Sequence, residues 1–384
     1  MKALSTSTNA SDPYRAGVEL GEALLPIKPE IVFLFSTVHY GQPQEVVEGL
    51  YDALENENLV VIGNSGDGFF ETKGVEDVGV AALALNSGGA VQWEISSQAG
   101  LLDEPQLATK TLLDRLVASR TEELPKLVYM VGDFKTDASE VGKAVEQETR
   151  FPIVGGFAAD DNKMESCVLF CNRQAMTDAV VGVAAYGELA FDIIISNALT
   201  PIGKPGLVDE AEGTNIIKID GVAATAFIER ETGKPVLQTD RGITTLTIID
   251  SDQPEIQRLR SIVPNFSQTD EALGLFGGIE RGRTVQVCLA EPTEIVREVY
   301  ELAARQKQAG FEAIAGVLVS CVGRKWLLGP EIRHELLSLT KEFGTELPIA
   351  GFPSFGEIGP VKVSGGYSRN LFHNMTCITL LFGS

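Results

Sequence analysis

At 384 residues the chain is longer than one ordinary hydrophobic core organises, and it suits two domains. Hydrophobic residues make up 44% and charged residues 22%, a globular composition, and 53 Asp+Glu against 31 Lys+Arg leave a formal net charge of -22. That balance repels phosphate backbones and anionic bilayers, which excludes nucleic acid and membrane surfaces as expected partners.

The first predicted strand, Ile31 to Phe35, leads into a helix whose Val46, Val47, Leu50 and Leu54 share one face, with Pro43 near its start. A second strand, Leu59 to Ile62, runs into the turn Gly63-Asn64-Ser65-Gly66-Asp67-Gly68, and a third spans Val78 to Leu85. The same order of strand, helix, strand, glycine turn and strand recurs further on. It starts again at Leu127 to Val131 and continues through a helix carrying Val141, Ala144 and Val145. Ile153-Val154, the turn Gly155 to Asp160 and Val180 to Tyr186 complete this copy. Asp137 with Glu140 predicts a capping box at its helix start. The third copy runs from Ala315 to Val319 through a helix from Pro330 with Ile332, Leu336 and Leu337, stopped at Phe343-Gly344. Ile349-Ala350, the turn Gly351 to Glu357 and Thr376 to Phe382 follow.

Such a repeat predicts an α/β fold of mixed β-sheets flanked by helices. The stretch Thr200 to Gly213 is rich in Gly, Pro and acidic residues, and the pattern changes at Ile216 to Gly221. The expected domains are therefore 28–218, with two repeats, and 219–384, with one repeat and its lead-in. No apolar run reaches the roughly 18 to 20 residues that span a bilayer, and Met1 to Tyr14 is too polar for a signal peptide. A cytoplasmic protein is expected. The five cysteines are odd in number and embedded in apolar stretches, which reads as reduced buried thiols; Cys167 and Cys171 lack a second pair for zinc.

The polar residues beside the glycines are the first candidates for a site. Asn64, Ser65 and Asp67 suit a small hydrogen-bonding pocket and are equally routine turn formers. Arg324 follows a strand end, where ligands of α/β sheets sit, and its fork of donors fits a carboxylate. Glu357, beside Gly356, would complete a clamp for a zwitterion. The competing readings are an Arg324–Glu357 ion pair holding two loops together, and a Glu357 that caps the backbone of its own turn. Cys321 stands close to Arg324, which would lower a thiol pKa and permit a Cys-dependent hydrolase. His334 is placed on a helix surface. The chain has no Gly-x-x-x-x-Gly-Lys-Ser/Thr, no Gly-x-Gly-x-x-Gly and no Gly-x-Ser-x-Gly. A non-enzymatic binding role is therefore the leading expectation, with the turns of the first and third repeats, Phe355 included, and Ser320 to Arg324 lining a pocket between the lobes.

Three segments in order carry a family resemblance: Ser320-Cys321-Val322-Gly323-Arg324, then Ala350-Gly351-Phe352-Pro353-Ser354-Phe355-Gly356-Glu357-Ile358-Gly359-Pro360, then His373-Asn374-Met375-Thr376. They resemble the C-terminal domain of the FIST family, and residues from about 30 to 218 resemble its N-terminal domain. The first turn departs from the family pattern, with Gly68-Phe69-Phe70 where Gly-Glu-Ile is usual. The resemblance implies a cytoplasmic sensory input module for small molecules such as amino acids, often joined to kinases, cyclases or chemoreceptors. A stand-alone form would report to a separate partner such as a sensor kinase. Some similar stand-alone members bind haem and respond to nitric oxide. That alternative would make haem the cofactor, with His39 as the foremost axial candidate and His373 as a plainer backbone hydrogen-bonder. An interaction scaffold is the further alternative.

Overall fold

The computed structural model describes residues 1–120, 123–237, 244–250, 256–263 and 271–383. The architecture is α/β, and the three predicted repeats are present, each longer than its sequence pattern indicated. A full repeat is an edge strand, a helix, a strand, a second helix, a second strand, a hairpin and a closing strand. The first comprises Lys2–Thr8, Pro13–Leu24, Ile31–Ser36, Gln44–Leu54, Val60–Ser65, the hairpin Phe69–Glu71 with Gly74–Glu76, and Val80–Asn86. The second comprises Val91–Ala99, Pro105–Ala118, Leu127–Gly132, Ala138–Gln147, Ile153–Phe157, the hairpin Leu169–Cys171 with Gln174–Met176, and Ala179–Gly187. The third opens with Phe191–Ser196 and resumes at Pro292–Gln308. It continues through Ala313–Cys321, Arg333–Phe343, Ile349–Ser354 and the hairpin Glu357–Val363 with Gly366–His373 to Cys377–Gly383.

The opening helices begin alike, at Asp12-Pro13, Glu104-Pro105 and Glu291-Pro292. Proline has no N–H to lose in the first turn, and its fixed φ suits a helix start. This acid–proline pair marks the repeat in the sequence itself, and strand periodicity alone passed over it. In each sheet the two inner strands pair parallel and the closing strand pairs antiparallel on the first, as between Ile31–Ser36, Val60–Ser65 and Val80–Asn86.

The glycine turns are shorter than predicted. Gly63 to Ser65 and Gly351 to Ser354 still belong to strands, because their backbones pair with the parallel neighbour. Each chain segment then forms a hairpin in a different repeat's sheet. Phe70 of the first repeat pairs with Gly351 of the third, Ile358 of the third with Gly155 of the second, and Phe170 of the second with Gly63 of the first. The exchange closes into a ring of three sheets.

Gly63, Gly155 and Gly351 hold equivalent positions opposite Leu34, Met130 and Leu318. A Cβ there would lie 2.0, 1.8 and 1.8 Å from those residues' carbonyl oxygens. Backbone cannot retreat as a flexible side chain does, so Gly351→Ala is expected to cost about 1–3 kcal/mol in urea unfolding. A loss within error of zero would show that the strand pair can spread.

Inside the ring the three sheets share one apolar core. Phe33 meets Tyr129 at 5.2 Å and Phe382 at 5.8 Å between ring centroids, so all three repeats touch there. The predicted helix residues Val46, Val47, Leu50 and Leu54, and likewise Ile332 and Leu336, are buried outside the sheets, whereas Leu337 is exposed. Asp137 caps its helix by accepting from the Ser139 N–H at 2.9 Å. Glu140 turns instead to Lys143 and Gln106, so only half of the predicted capping box forms. A short helix, Val322–Leu328, precedes the predicted third one, and Pro330 falls in the single 3-10 turn Gly329–Ile332 between them.

The third repeat is interrupted between its edge strand and opening helix by a seven-stranded sheet, antiparallel throughout its described pairings. Its first strand is the long Leu199–Glu212, where the sequence reads only as a Gly-, Pro- and acid-rich stretch near the expected domain boundary. The prolines and glycines responsible lie around a register shift between Ile202 and Gly206, where a strand tolerates them. The boundary expected at 218/219 lies within strand Asn215–Ile219 of this inserted sheet. Among the described residues no helix is long and apolar enough to cross a membrane.

Candidate functional site at the meeting of the turns

The exchange of hairpins brings the three turns together. The Ala159 N–H donates to the Ser65 carbonyl at 2.8 Å, that of Phe157 to the Gly356 carbonyl at 2.8 Å, and that of Asp67 to the Pro353 carbonyl at 3.2 Å. Every pair of repeats is thus tied by a backbone hydrogen bond at this end of the ring. The residues expected to cooperate from the first and third turns are neighbours, although their side chains divide into separate groups.

In the first turn Ser65 is buried, donates to the Ala159 carbonyl at 2.8 Å and accepts from the Val168 N–H at 3.1 Å. Asn64 donates to the Ser65 carbonyl at 2.9 Å, while its Oδ1 is buried without a hydrogen-bond partner among the described residues. Asp67 accepts from the Lys325 ammonium at 3.2 Å, and Lys325 also reaches Asp77 at 2.8 Å. Burial raises the Asp67 pKa and Lys325 works against that rise.

Arg324 and Ser320 belong to a second, fully buried group. The Arg324 Nε donates to Glu335 at 2.6 Å and its Nη1 to the Met375 carbonyl at 3.2 Å; the Ser320 hydroxyl donates to the other Glu335 oxygen at 2.6 Å. Neither Arg324 nor Glu335 has any exposed side chain. The anticipated Arg324–Glu357 ion pair is therefore replaced by Arg324–Glu335, because the helix Arg333–Phe343 packs its one buried carboxylate over the strand end. Sequence reading missed Glu335, whose position among apolar helix residues was its only signal.

Glu357 is also fully buried. It accepts from the Ser354 hydroxyl at 2.6 Å and from the hydroxyl and N–H of Thr376 at 2.8 and 3.2 Å. The backbone group it satisfies lies on the strand approach at Thr376, which corrects the expected cap of its own turn. Burial pushes its carboxyl up to about 8, against the pull of those hydrogen bonds. The Cys321 thiol is likewise raised well above its ordinary value by burial and by Glu357. The lowered thiol pKa expected from Arg324 is thus reversed, since desolvation outweighs a cation already held by Glu335.

Cys321 and Phe355 line a cleft at the seam between the third repeat and the inserted sheet, together with Ser354, Trp326, Ile262 and Phe276. Phe355 stacks on Phe276 at 6.2 Å and meets Phe134 edge-on at 4.9 Å. Asn374 accepts from the Ser261 N–H at 3.1 Å and so pins the sheet to the repeat. The Ser261 hydroxyl is buried without a hydrogen-bond partner among the described residues. The cleft is narrow, with about 10 Å³ free for a water-sized molecule. Ser261 and Phe276 come from the inserted sheet, more than forty residues before Cys321, and no local pattern marked them; Asn374 stood in the family-like segment without a role.

The histidines do not assemble a haem site. His39 is partly exposed beside Asp161 at 4.0 Å, and His334 lies on its helix surface beside Glu331 at 2.7 Å. His373 is buried, with its Nε2 at the Gly359 carbonyl, 2.9 Å away, and burial pushes it down to about 4. The seam cleft has no histidine in its wall. Haem needs an apolar slot with an axial ligand aimed into it, and these residues do not fit that requirement. Among the described residues no cluster of His, Cys, Asp and Glu could hold a metal ion.

Comparison with known proteins adds two family matches: the FIST N domain over residues 30–222 and the FIST C domain over residues 242–360. An uncharacterized protein of Methanocaldococcus jannaschii is 25% identical over 227 residues, covering 56% of this chain and 43% of that protein. An uncharacterized protein of Mycobacterium tuberculosis is 25% identical over 245 residues, covering 60% of each. The chain thus spans about half the length of the curated relatives it matches. The crystal structure of a cyanuic acid hydrolase from A. caulinodans aligns with 100% of this chain and 99% of its own, at a TM-score of 0.34 and 9% identity.

Proposed function

This chain belongs to the FIST family, whose domains are sensory modules of signal transduction, and from that premise we propose that it senses a small, largely apolar molecule at the seam cleft and reports to a separate signalling protein. One observation carries the reading. The cleft joins apolar walls from Phe276, Phe355 and Ile262 to a few inward polar groups, with the Ser261 hydroxyl unsatisfied, which is the usual make-up of a small-molecule pocket.

Because the cleft has so little free volume, a ligand must part the inserted sheet from the third repeat. The contacts that yield are the Phe276–Phe355 stack and the Ser261–Asn374 hydrogen bond. Ligand energy is thereby coupled to a movement of the inserted sheet, which is a surface a partner such as a sensor kinase can read. A cytoplasmic setting fits that role. The zwitterion clamp for an amino acid has no support in the side chains, since Arg324 is held by Glu335. We assign no catalytic residue, and haem is not part of this reading.

Scanning calorimetry of the whole chain against a panel of amino acids, apolar metabolites and haemin tests it. A ligand at 100 times its Kd adds about 2.7 kcal/mol, a rise of a few degrees in a protein of this size. The rise is expected from an apolar metabolite and should vanish in Phe276→Ala. A rise that survives in that variant, or a response to haemin alone, would remove the ligand from this cleft.

A further inference from the structure

A second cavity lies along the same seam and has opposite chemistry. Its walls are the helix Ala138–Gln147, the strand Arg258–Val263 and the segment 278–283, and its volume is about 90 Å³. In a protein with a net charge of -22 it gathers four cations, Lys143, Arg258, Arg260 and Arg283, against two carboxylates, Glu146 and Glu280.

Three of those cations are already paired. Lys143 holds Glu140 at 2.8 Å and Glu280 at 3.0 Å, Arg258 holds Asp250 at 2.9 Å and Glu146 at 3.3 Å, and Arg283 lies 3.8 Å from Glu280. Arg260 is different. It is only 6% exposed, and no carboxylate of the described residues pairs with it. Its Nη1 donates to the carbonyls of Leu259 at 2.9 Å and Phe372 at 3.1 Å, and its guanidinium carbon lies 4.6 Å from the Phe372 ring centroid. Its Nε is buried with no partner, and its Nη2 makes no hydrogen bond among the described residues.

Nε and Nη2 form one edge of a guanidinium, the edge that takes the two oxygens of a carboxylate side by side. The backbone carbonyls hold Arg260 by the opposite corner and the Phe372 ring supports its face, so the free edge is oriented before any ligand arrives. Burial and the neighbouring Arg258 disfavour its charge and outweigh the support of Asp137 and Glu146, neither of which pairs with it directly; a bound anion would relieve that strain. A buried ion left without a counter-ion is a rare arrangement in folded proteins.

We propose that this cavity is a binding site for a small organic carboxylate, gripped in two-point fashion by the Nε and Nη2 of Arg260. The carboxylate carbon chain has room to continue. A second hollow of about 300 Å³ shares the walls at Ser139, Lys143, Gly278, Ile279 and Glu280. The ligand would bridge the inserted sheet, through Arg260, to the helix of the second repeat, through Ser139. This site is separate from the apolar cleft and stands whether or not that cleft takes a ligand.

Titration of the full chain with sodium acetate and with succinate, beside sulfate and phosphate at matched ionic strength, tests the proposal. Acetate and succinate are expected to move one arginine Nε–H resonance saturably and to raise the melting temperature. Arg260→Lys keeps the charge and loses the fork, so its carboxylate affinity should fall at least tenfold. Should that variant fail to fold, Ser139→Phe fills the cavity from the helix side with Arg260 intact, and it should abolish the response. No saturable response in the wild type, or an unchanged response in both variants, would overturn the site. A response to sulfate or phosphate and not to the carboxylates would overturn the ligand class.

Discussion

Arg324→Met is expected to lower the unfolding free energy by about 3–5 kcal/mol, the usual cost of leaving one member of a buried ion pair behind. Both partners are wholly buried, and the Arg324 Nε lies 2.6 Å from Glu335. Methionine fills most of the volume, so the loss comes from a Glu335 carboxylate left with the neutral Ser320 hydroxyl and Cys377 thiol beside it and no cation. The arginine also donates to the carbonyls of Met375 and Ser196, which it draws together with the helix Arg333–Phe343. Two apolar replacements, Arg324→Met with Glu335→Leu, should regain at least about 2 kcal/mol over the single variant, because no buried charge is left. Urea unfolding of the three proteins decides the matter. A single variant within about 1 kcal/mol of wild type, or a double variant no more stable than the single one, would mean that the pair is open to water and not closed into the core.

The second large effect is a pH dependence from Glu357. Its carboxyl is pushed from an ordinary 4.5 up to about 8 by burial, with the hydrogen bonds from Ser354 and Thr376 opposing the rise. Between those values the folded chain keeps the proton and the unfolded chain releases it. Stability contributed by the neutral carboxyl is therefore full below about 4.5 and is lost as pH rises through 8, by up to about 1.4 kcal/mol per pH unit. His373 acts in the opposite sense: burial lowers it from 6.5 to about 4, so its contribution is full above 6.5 and is lost as pH falls towards 4. The two slopes oppose each other between about 4.5 and 6.5, and Glu357 acts alone from 6.5 to 8. The buried thiols enter only above their ordinary value of 9.0. Wild type should lose about 2 kcal/mol between pH 6.5 and 8, and Glu357→Gln should be flat across that window. An equal slope in both proteins would assign the titration elsewhere.

These expectations bear on function because the two buried groups carry the cleft between them. Ser354, which donates to Glu357, and Cys321, which begins the short helix holding Arg324, both stand in its wall. Loss of ligand response in an Arg324 or Glu357 variant is therefore expected to follow loss of stability. Substitution at Phe276 should remove the response while leaving the fold.

Much of this protein was determined by the sequence alone. Three copies of strand, helix, strand and strand could be read from apolar spacing, since that periodicity is set by each segment's own backbone geometry over a few residues. The buried faces of Val46, Val47, Leu50 and Leu54, the helix stop at Gly344 and the cap at Asp137 follow from equally local chemistry. The acid–proline starts at Pro13, Pro105 and Pro292 were legible too, had the repeat been sought in its helices. Only the tertiary structure decided the rest. Phe70 pairs with Gly351, Arg324 answers to Glu335 in place of Glu357, and Arg260 pairs with no carboxylate among the described residues. Each depends on which surfaces meet after the hairpins have crossed between sheets. Local propensity has no term for such a meeting: a strand edge or a charged side chain accepts any partner of the right type, and topology selects the one that arrives.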